Sequence, residues 1–304
     1  MTLHRALARA MAGLLAAALI LPSGLTATAH ADPTTTPTPT PTPAPTPTPE
    51  PTPVTELVNK RLPEVRGDAR WTQTLRANPG RWEQRPEKVR YQWLRFGDPI
   101  KGATGRTYRV QPEDVGTRLR VELRVKVTGL PWAQARSEPT ERVRYRVPVR
   151  RVVTYHVETR GRIVADVGVF AALAQETYED PRGWRNGGVE FRRVRSGGSF
   201  TLVLAEASWV PRFSSACSST WSCRVGRYVV INQTRWLHAS PAWNAAGRAL
   251  RDYRHMVVNH ETGHWLGRGH RGCPRVGAPA PGMMQQSKGR NGCTFNPWPT
   301  GPEL

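Results

Sequence analysis

The sequence predicts two folded parts in series, an all-β sandwich and then an α+β domain whose chemistry sits on one helix. Three observations predict this. Over residues 57–145 apolar side chains recur with period two, the pattern of strands that bury one face. From about residue 148, strand-like runs alternate with stretches of helical period. Late in that second part, His260-Glu261-Thr262-Gly263-His264 sets two histidines one helical turn apart.

In chain order, His4, Arg5 and Arg9 precede an apolar run over residues 10–21, too short to span a bilayer comfortably. Ala29-His30-Ala31 then offers a small-residue cleavage site before Asp32. Residues 1–31 read as a signal peptide. The mature protein is therefore expected to be secreted and extracellular, with no transmembrane span after cleavage. Residues 32–55 form a linker in which proline alternates with threonine. Such a segment buries no apolar surface, and repeated proline favours extended polyproline II geometry. It reads as a stiff spacer whose threonines are open to O-glycosylation.

Residues 56–147 form the predicted β-module. Leu119, Val121, Leu123, Val125 and Val127 alternate with Arg118, Arg120, Glu122, Arg124 and Lys126, and Val89, Tyr91 and Trp93 repeat the pattern. Asn78-Pro79-Gly80, Gly97-Asp98-Pro99 and Gly102-Ala103-Thr104-Gly105 supply turns between strands. With Tyr91-Gln92-Trp93-Leu94-Arg95, Pro99-Ile100-Lys101-Gly102-Ala103-Thr104, Thr107-Tyr108 and Asp114-Val115-Gly116, this stretch resembles a bacterial immunoglobulin-like repeat of exported surface proteins. The resemblance implies a β-sandwich without a core disulfide, serving as a spacer or adhesive unit, with Trp93 in its core.

The formal net charge of +21 would suit a nucleic-acid partner. The positive charges, however, are mostly arginines scattered singly, and the densest cluster, Arg192, Arg193 and Arg195, is short. No nucleic-acid partner is expected. An anionic cell envelope is the expected basic-surface partner. Cys217, Cys223, Cys273 and Cys293 are an even set in an exported chain, which favours disulfides over metal ligation. Of the three pairings, Cys217–Cys223 with Cys273–Cys293 is the simplest. A four-cysteine zinc knot lacks the close spacing it would need.

Residues 148–304 are the predicted α+β domain. Residues 151–157, Phe200–Ala205 and Tyr228–Asn232 read as strands, with a helix over 169–178. A longer helix starts at the cap Ser240 with Pro241 in its first turn. Trp243, Ala246, Leu250, Tyr253, Val257, His260 and His264 then follow one face, with a break possible at Gly247. His260 and His264 can aim at one point, and a third ligand must come from beyond the helix. Gly267 can take positive φ and end the helix, letting the chain double back to present His270. Three neutral histidines with one open position make a catalytic rather than structural zinc site. Glu261, about 100° round the helix from its neighbour, is placed to take a proton from a zinc-bound water as it attacks a carbonyl. His255 lies off this face and reads as a surface or outer residue. His156 and His238 carry no signal.

The string His260-Glu261-Thr262-Gly263-His264-Trp265-Leu266-Gly267-Arg268-Gly269-His270 resembles the metzincin signature, which joins this motif to a later methionine turn. Pro281-Gly282-Met283-Met284-Gln285-Gln286 offers the turn. Residues 253–299, including Asn296-Pro297-Trp298-Pro299, look like an exported metzincin-like family of actinobacteria. The resemblance implies a mixed twisted sheet backed by helices, one of them the active-site helix. It also implies one catalytic Zn2+ and a methionine floor under the ligands, supplied by Met284 in preference to Met283. Gln285 or Gln286 stands where some metzincins place a tyrosine ligand, and Arg271 follows the third histidine where some subfamilies have an acid. No cysteine precedes residue 217, so no propeptide thiol can hold the metal latent. The expected function is a zinc metalloendopeptidase acting as a monomer on peptide or protein substrates. An adhesive protein with a structural zinc site and a zinc hydrolase of cell-wall amides are the alternatives.

Overall fold

The computed structural model describes residues 55–304. The signal peptide and nearly all of the linker, residues 1–54, lie outside the described residues. The described residues form a mixed α+β structure with several sheets and few helices. No helix among them is long and apolar enough to cross a membrane.

The first part contains nine strands. They are β1 (Asn59–Arg61), β2 (Glu64–Arg66), β3 (Thr74–Asn78), β4 (Arg81–Trp82), β5 (Lys88–Arg95), β6 (Asp98–Pro99), β7 (Thr107–Arg109), β8 (Leu119–Lys126) and β9 (Ala133–Arg136). They are antiparallel in three sheets, of which the larger two run β6-β5-β8-β9 and β2-β3-β7. The period-two pattern is the reason for this arrangement. Leu119, Val121, Leu123 and Val125 of β8 are fully buried and meet Trp93 of β5 and Leu75 and Ala77 of β3 in one core. Charged neighbours on β8 point the other way. Trp93 is completely buried, and its indole N–H donates to the Gly105 carbonyl at 2.9 Å. Asp114, also fully buried, accepts from the Tyr108 hydroxyl at 2.8 Å, the Gln111 amide at 2.7 Å and Arg95 at 2.8 Å, so its charge is matched on every side.

The second part is built on one five-stranded sheet. Its strands are β10 (Arg151–Arg160), β11 (Val189–Arg193), β12 (Phe200–Ala205), β13 (Cys223–Val225) and β14 (Tyr228–Asn232), in the order β11-β10-β12-β14-β13. All pairs are parallel except β13 with β14. Parallel strands are covered on both faces, which explains why β12 is an unbroken buried run. Phe200, Leu202 and Leu204 enter the main core, while Val203 and Ala205 face a smaller cluster with Val210, Val230 and Cys217.

Two helices line the main core, α1 (Val167–Glu179) and α4 (Leu250–Trp265). Asp166 caps α1 by accepting from the Val169 amide at 2.9 Å. Between β14 and α4 stand two short helices, α2 (Gln233–His238) and α3 (Pro241–Ala245). The single helix expected from residue 240 is thus two helices. Ser240 caps the first, and Gly247, at φ +63°, turns the chain before α4 begins. Strands β11 and β13 and helix α2 were not anticipated. β11 carries Glu190, Arg192 and Arg193 among only five residues, and β13 has only three, so neither shows a legible period.

Helix α4 is held in place along its polar backbone as well as its apolar face. The Trp184 indole donates to the Asn259 carbonyl at 2.9 Å, and the Tyr178 and Thr262 hydroxyls share a buried hydrogen bond of 2.8 Å. At Gly263 the neighbours come closest. A Cβ there would lie 2.2 Å from the Met283 sulfur and 2.6 Å from Trp184. Gly263→Ala should therefore force Met283 and Trp184 aside and lower stability by about 1–3 kcal/mol, read as a reduced urea midpoint with unchanged slope.

Candidate metal centre

The last two turns of α4 bury Asn259, His260, Glu261, Thr262 and Gly263. The exit of the helix is tight. Leu266 donates to the Thr262 carbonyl, Gly267 to that of His264 and Arg268 to that of Gly263, and Gly267 sits at φ +85°. That left-handed residue reverses the chain, as the sequence predicts, and brings His270 back toward the helix.

His260, His264 and His270 each offer a ring nitrogen, and these three atoms lie within 4.8 Å of one another. The orientation of two rings is set by backbone carbonyls, which can only accept. Nδ1 of His260 donates to Gly282 at 2.9 Å, and Nδ1 of His264 donates to Arg268 at 2.9 Å. Each of these histidines, when neutral, therefore presents an unprotonated Nε2. Nε2 of His264 and Nε2 of His270 face each other at 3.1 Å. Burial, the largest cause in each case, holds all three imidazoles below their ordinary value of 6.5, with His260 pushed down to about 3. A cluster of neutral, convergent lone pairs that cannot easily take protons fits a borderline-soft cation such as zinc.

The first histidine is tied to a second element. Residues 281–284 form a turn closed by the Met284 amide on the Pro281 carbonyl. Its Gly282 carbonyl receives the His260 N–H, while its Gly282 and Met283 amides donate to Glu303 at 2.9 and 2.8 Å. Glu303 is completely buried and also accepts from the Thr300 amide and hydroxyl. Charge-assisted hydrogen bonds from backbone N–H groups to the Glu303 carboxylate thus hold the carbonyl that orients His260. The Arg271 amide donates to the Met283 carbonyl at 3.1 Å and joins the His270 segment to the same turn. Sequence reasoning missed Glu303. The pattern Thr300-Gly301-Pro302-Glu303 signals a capping box, and both of its bonds are present, but a cap motif does not announce a role at a distant centre.

The methionine expectation needs correcting. Met283, not Met284, packs against Gly263 of the ligand helix and belongs to the main core. Met284 points to a separate cluster with Ala278, Ala280 and Cys293. The two are adjacent in sequence on a tight turn and so diverge. Gln286 is buried and saturated by Pro281 and Asn296, which leaves it no role as a ligand, whereas Gln285 is exposed on the cleft. His255 is not a surface residue. It is buried against α1, with Nδ1 2.8 Å from the Thr177 hydroxyl and its ring against Trp298.

Glu261 is buried, lines a cleft of 350 Å³ with the three histidines and accepts a hydrogen bond from no described residue. Burial pushes its carboxyl up to about 8, and Arg224 acts in the opposite direction. A cation held by the adjacent histidines would pull it down further. The cysteines pair locally, Cys217 with Cys223 and Cys273 with Cys293, and both bridges staple loops that border this cleft.

The profile of a family described as a protein of unknown function (DUF3152) matches residues 141–294, half of the chain, and the chain belongs to that family. The match takes in the five-stranded sheet, α4 and all three histidines, and stops short of Glu303. No curated protein and no solved structure matches the chain.

Two outcomes follow from this geometry. The four depressed histidines, His255 among them, outweigh the raised Glu261 carboxyl, which acts in the opposite sense, so the metal-free protein should lose stability as pH falls below about 6.5, where the unfolded chain binds more protons than the folded one. Denaturation midpoints measured between pH 7.5 and 5 should show this slope, and His260→Asn should flatten it. Glu303→Ala should release the Gly282 carbonyl and weaken zinc binding about 10–100-fold, measured by competition with a chromophoric chelator.

Proposed function

We propose that this chain is an exported, zinc-dependent metallopeptidase of metzincin-like type that hydrolyses peptide bonds in extracellular polypeptides. One observation carries the reading: three neutral, convergent imidazoles stand beside a buried carboxylate that has no partner among the described residues and opens into a cleft. A structural metal site has no use for such a carboxylate. His260, His264 and His270 would hold the ion. When bound, it supplies Lewis-acid polarisation of a carbonyl and a lowered pKa for water.

The protein's own residues supply the rest. His260 and His264 hold their donor atoms in place through Gly282 and Arg268, so no reorganisation is needed on binding. Glu261 accepts a proton from the attacking water as the carbon–oxygen bond forms. It returns that proton to the departing amine as the carbon–nitrogen bond breaks, leaving a carboxylic acid and an amine. The edge strand β13 borders the cleft and has one face of its ladder unpaired, which suits an extended peptide lying alongside it.

Two disulfides fit an oxidising, extracellular compartment. The immunoglobulin-like module would act as a spacer that presents the peptidase at a distance from the envelope, to which the net charge of +21 favours association.

Glu261→Gln tests the mechanism directly. Zinc near one per chain should persist in the mature protein, while hydrolysis of denatured polypeptides falls about 10²–10⁴-fold. A folded wild type that binds no zinc would overturn the reading. Hydrolysis of purified cell-wall material but of no polypeptide would move the substrate to wall amides.

A further inference from the structure

The cleft over the three histidines is bordered by two cations that no described residue neutralises. Arg224 lies on β13 directly after Cys223, and Lys288 lies within the loop closed by Cys273–Cys293. Both are exposed, and neither makes an ion pair or donates a side-chain hydrogen bond to a described residue. Arg95, Arg182 and Arg251 are paired with Asp114, Asp180 and Glu176, while Arg193, Arg195 and Arg248 are also unpaired among the described residues; what sets Arg224 and Lys288 apart is that they line the cleft. Among the described residues, Glu261 is the one acidic side chain that lines the cleft.

The two cations act on different members of the centre. The field of Arg224 reaches Glu261 and His264, and that of Lys288 reaches His260 and His270. Trp221, Met256 and Val257 also line the cleft and give it apolar wall, where an ion pair is less screened than on an open surface. Each cation also sits on a segment anchored by a disulfide, which reduces the ordering cost of a bound partner.

We infer that Arg224 and Lys288 form an anion-reading pair that selects substrates bearing carboxylates close to the scissile amide, so that the preferred substrate is an acidic peptide. This rests on the peptidase reading and adds its substrate class. The carboxylate can come from an Asp or Glu side chain or from a free C-terminus, and both are met by the same two donors.

The test uses the zinc-loaded mature chain and internally quenched peptides in matched sets: Glu against Gln at the positions flanking the cleaved bond, and a free against an amidated C-terminus. Wild type should favour the acidic member by about tenfold in kcat/KM, a preference that shrinks with added salt. In Arg224→Gln and Lys288→Gln the acidic-to-neutral ratio should fall toward one. In Arg227→Gln, a cation outside the cleft, it should be kept. Preference in the free-terminus pair alone would assign the pair to a C-terminal carboxylate, and preference in the Glu/Gln set alone to side chains. Equal rates for every pair, or variants that keep the ratio, would overturn the inference.

A binding arm separates it from failure of the peptidase reading. Fluorescein-labelled hexaglutamate and hexaglutamine are titrated into Glu261→Gln protein by anisotropy. If no peptide is cleaved by wild type but hexaglutamate binds at least about fivefold tighter than hexaglutamine, and Arg224→Gln abolishes the difference, the anion site stands without the peptidase. Equal binding of the two would sink it.

Discussion

The contact at Gly263 governs the geometry of this centre. Only a residue without a side chain lets the Met283 sulfur come against the ligand helix, with Trp184 pressed in beside it. That approach fixes the distance between α4 and the 281–284 turn, and hence where the Gly282 carbonyl meets His260. The turn in turn receives the Arg271 amide and sets the path of the segment that ends the ligand set. Close packing here sets the spacing of the cluster, because a packed interior transmits small displacements without absorbing them.

The sheet supplies the frame for that contact. Four parallel strands place their apolar runs between α1 and α4 on one face and a smaller cluster on the other. Aromatic rings fill the main core, with Tyr155 stacked on Phe200 at 5.3 Å and Tyr178 on Phe191 at 4.4 Å. Such rings bury large areas with few rotatable bonds, so α4 is seated on a stiff surface. The one antiparallel strand, β13, is the edge that faces the cleft, and its first residue is a half-cystine. Stability and access are thus divided between the two sides of the same sheet.

Much of this was legible in the sequence where a single physical cause acted locally. The period of β8 follows from one buried face, and the placement of His260 and His264 follows from the helical repeat. The reversal at Gly267 follows from the absence of a Cβ, and it does take positive φ. What escaped reading depends on partners distant in the chain. Whether Met283 or Met284 meets the helix is decided by how the turn is rotated by Glu303, twenty residues away. His255 is buried because α1 supplies Thr177, a contact between residues 78 apart. Strand β11 exists because β10 offers it an edge, whatever its own charged composition.

The lattice around Glu303 has a temporal meaning. The carbonyl that orients His260 is itself fixed by amides bonded to a carboxylate about forty residues beyond α4. A chain emerging amino-terminus first from a ribosome or a membrane pore would expose its histidine helix well before that carboxylate arrives. Until then the turn lacks the carboxylate that holds its Gly282 and Met283 amides, beside the carbonyl that meets His260. The turn therefore gains its carboxylate anchor only after the histidine helix has emerged.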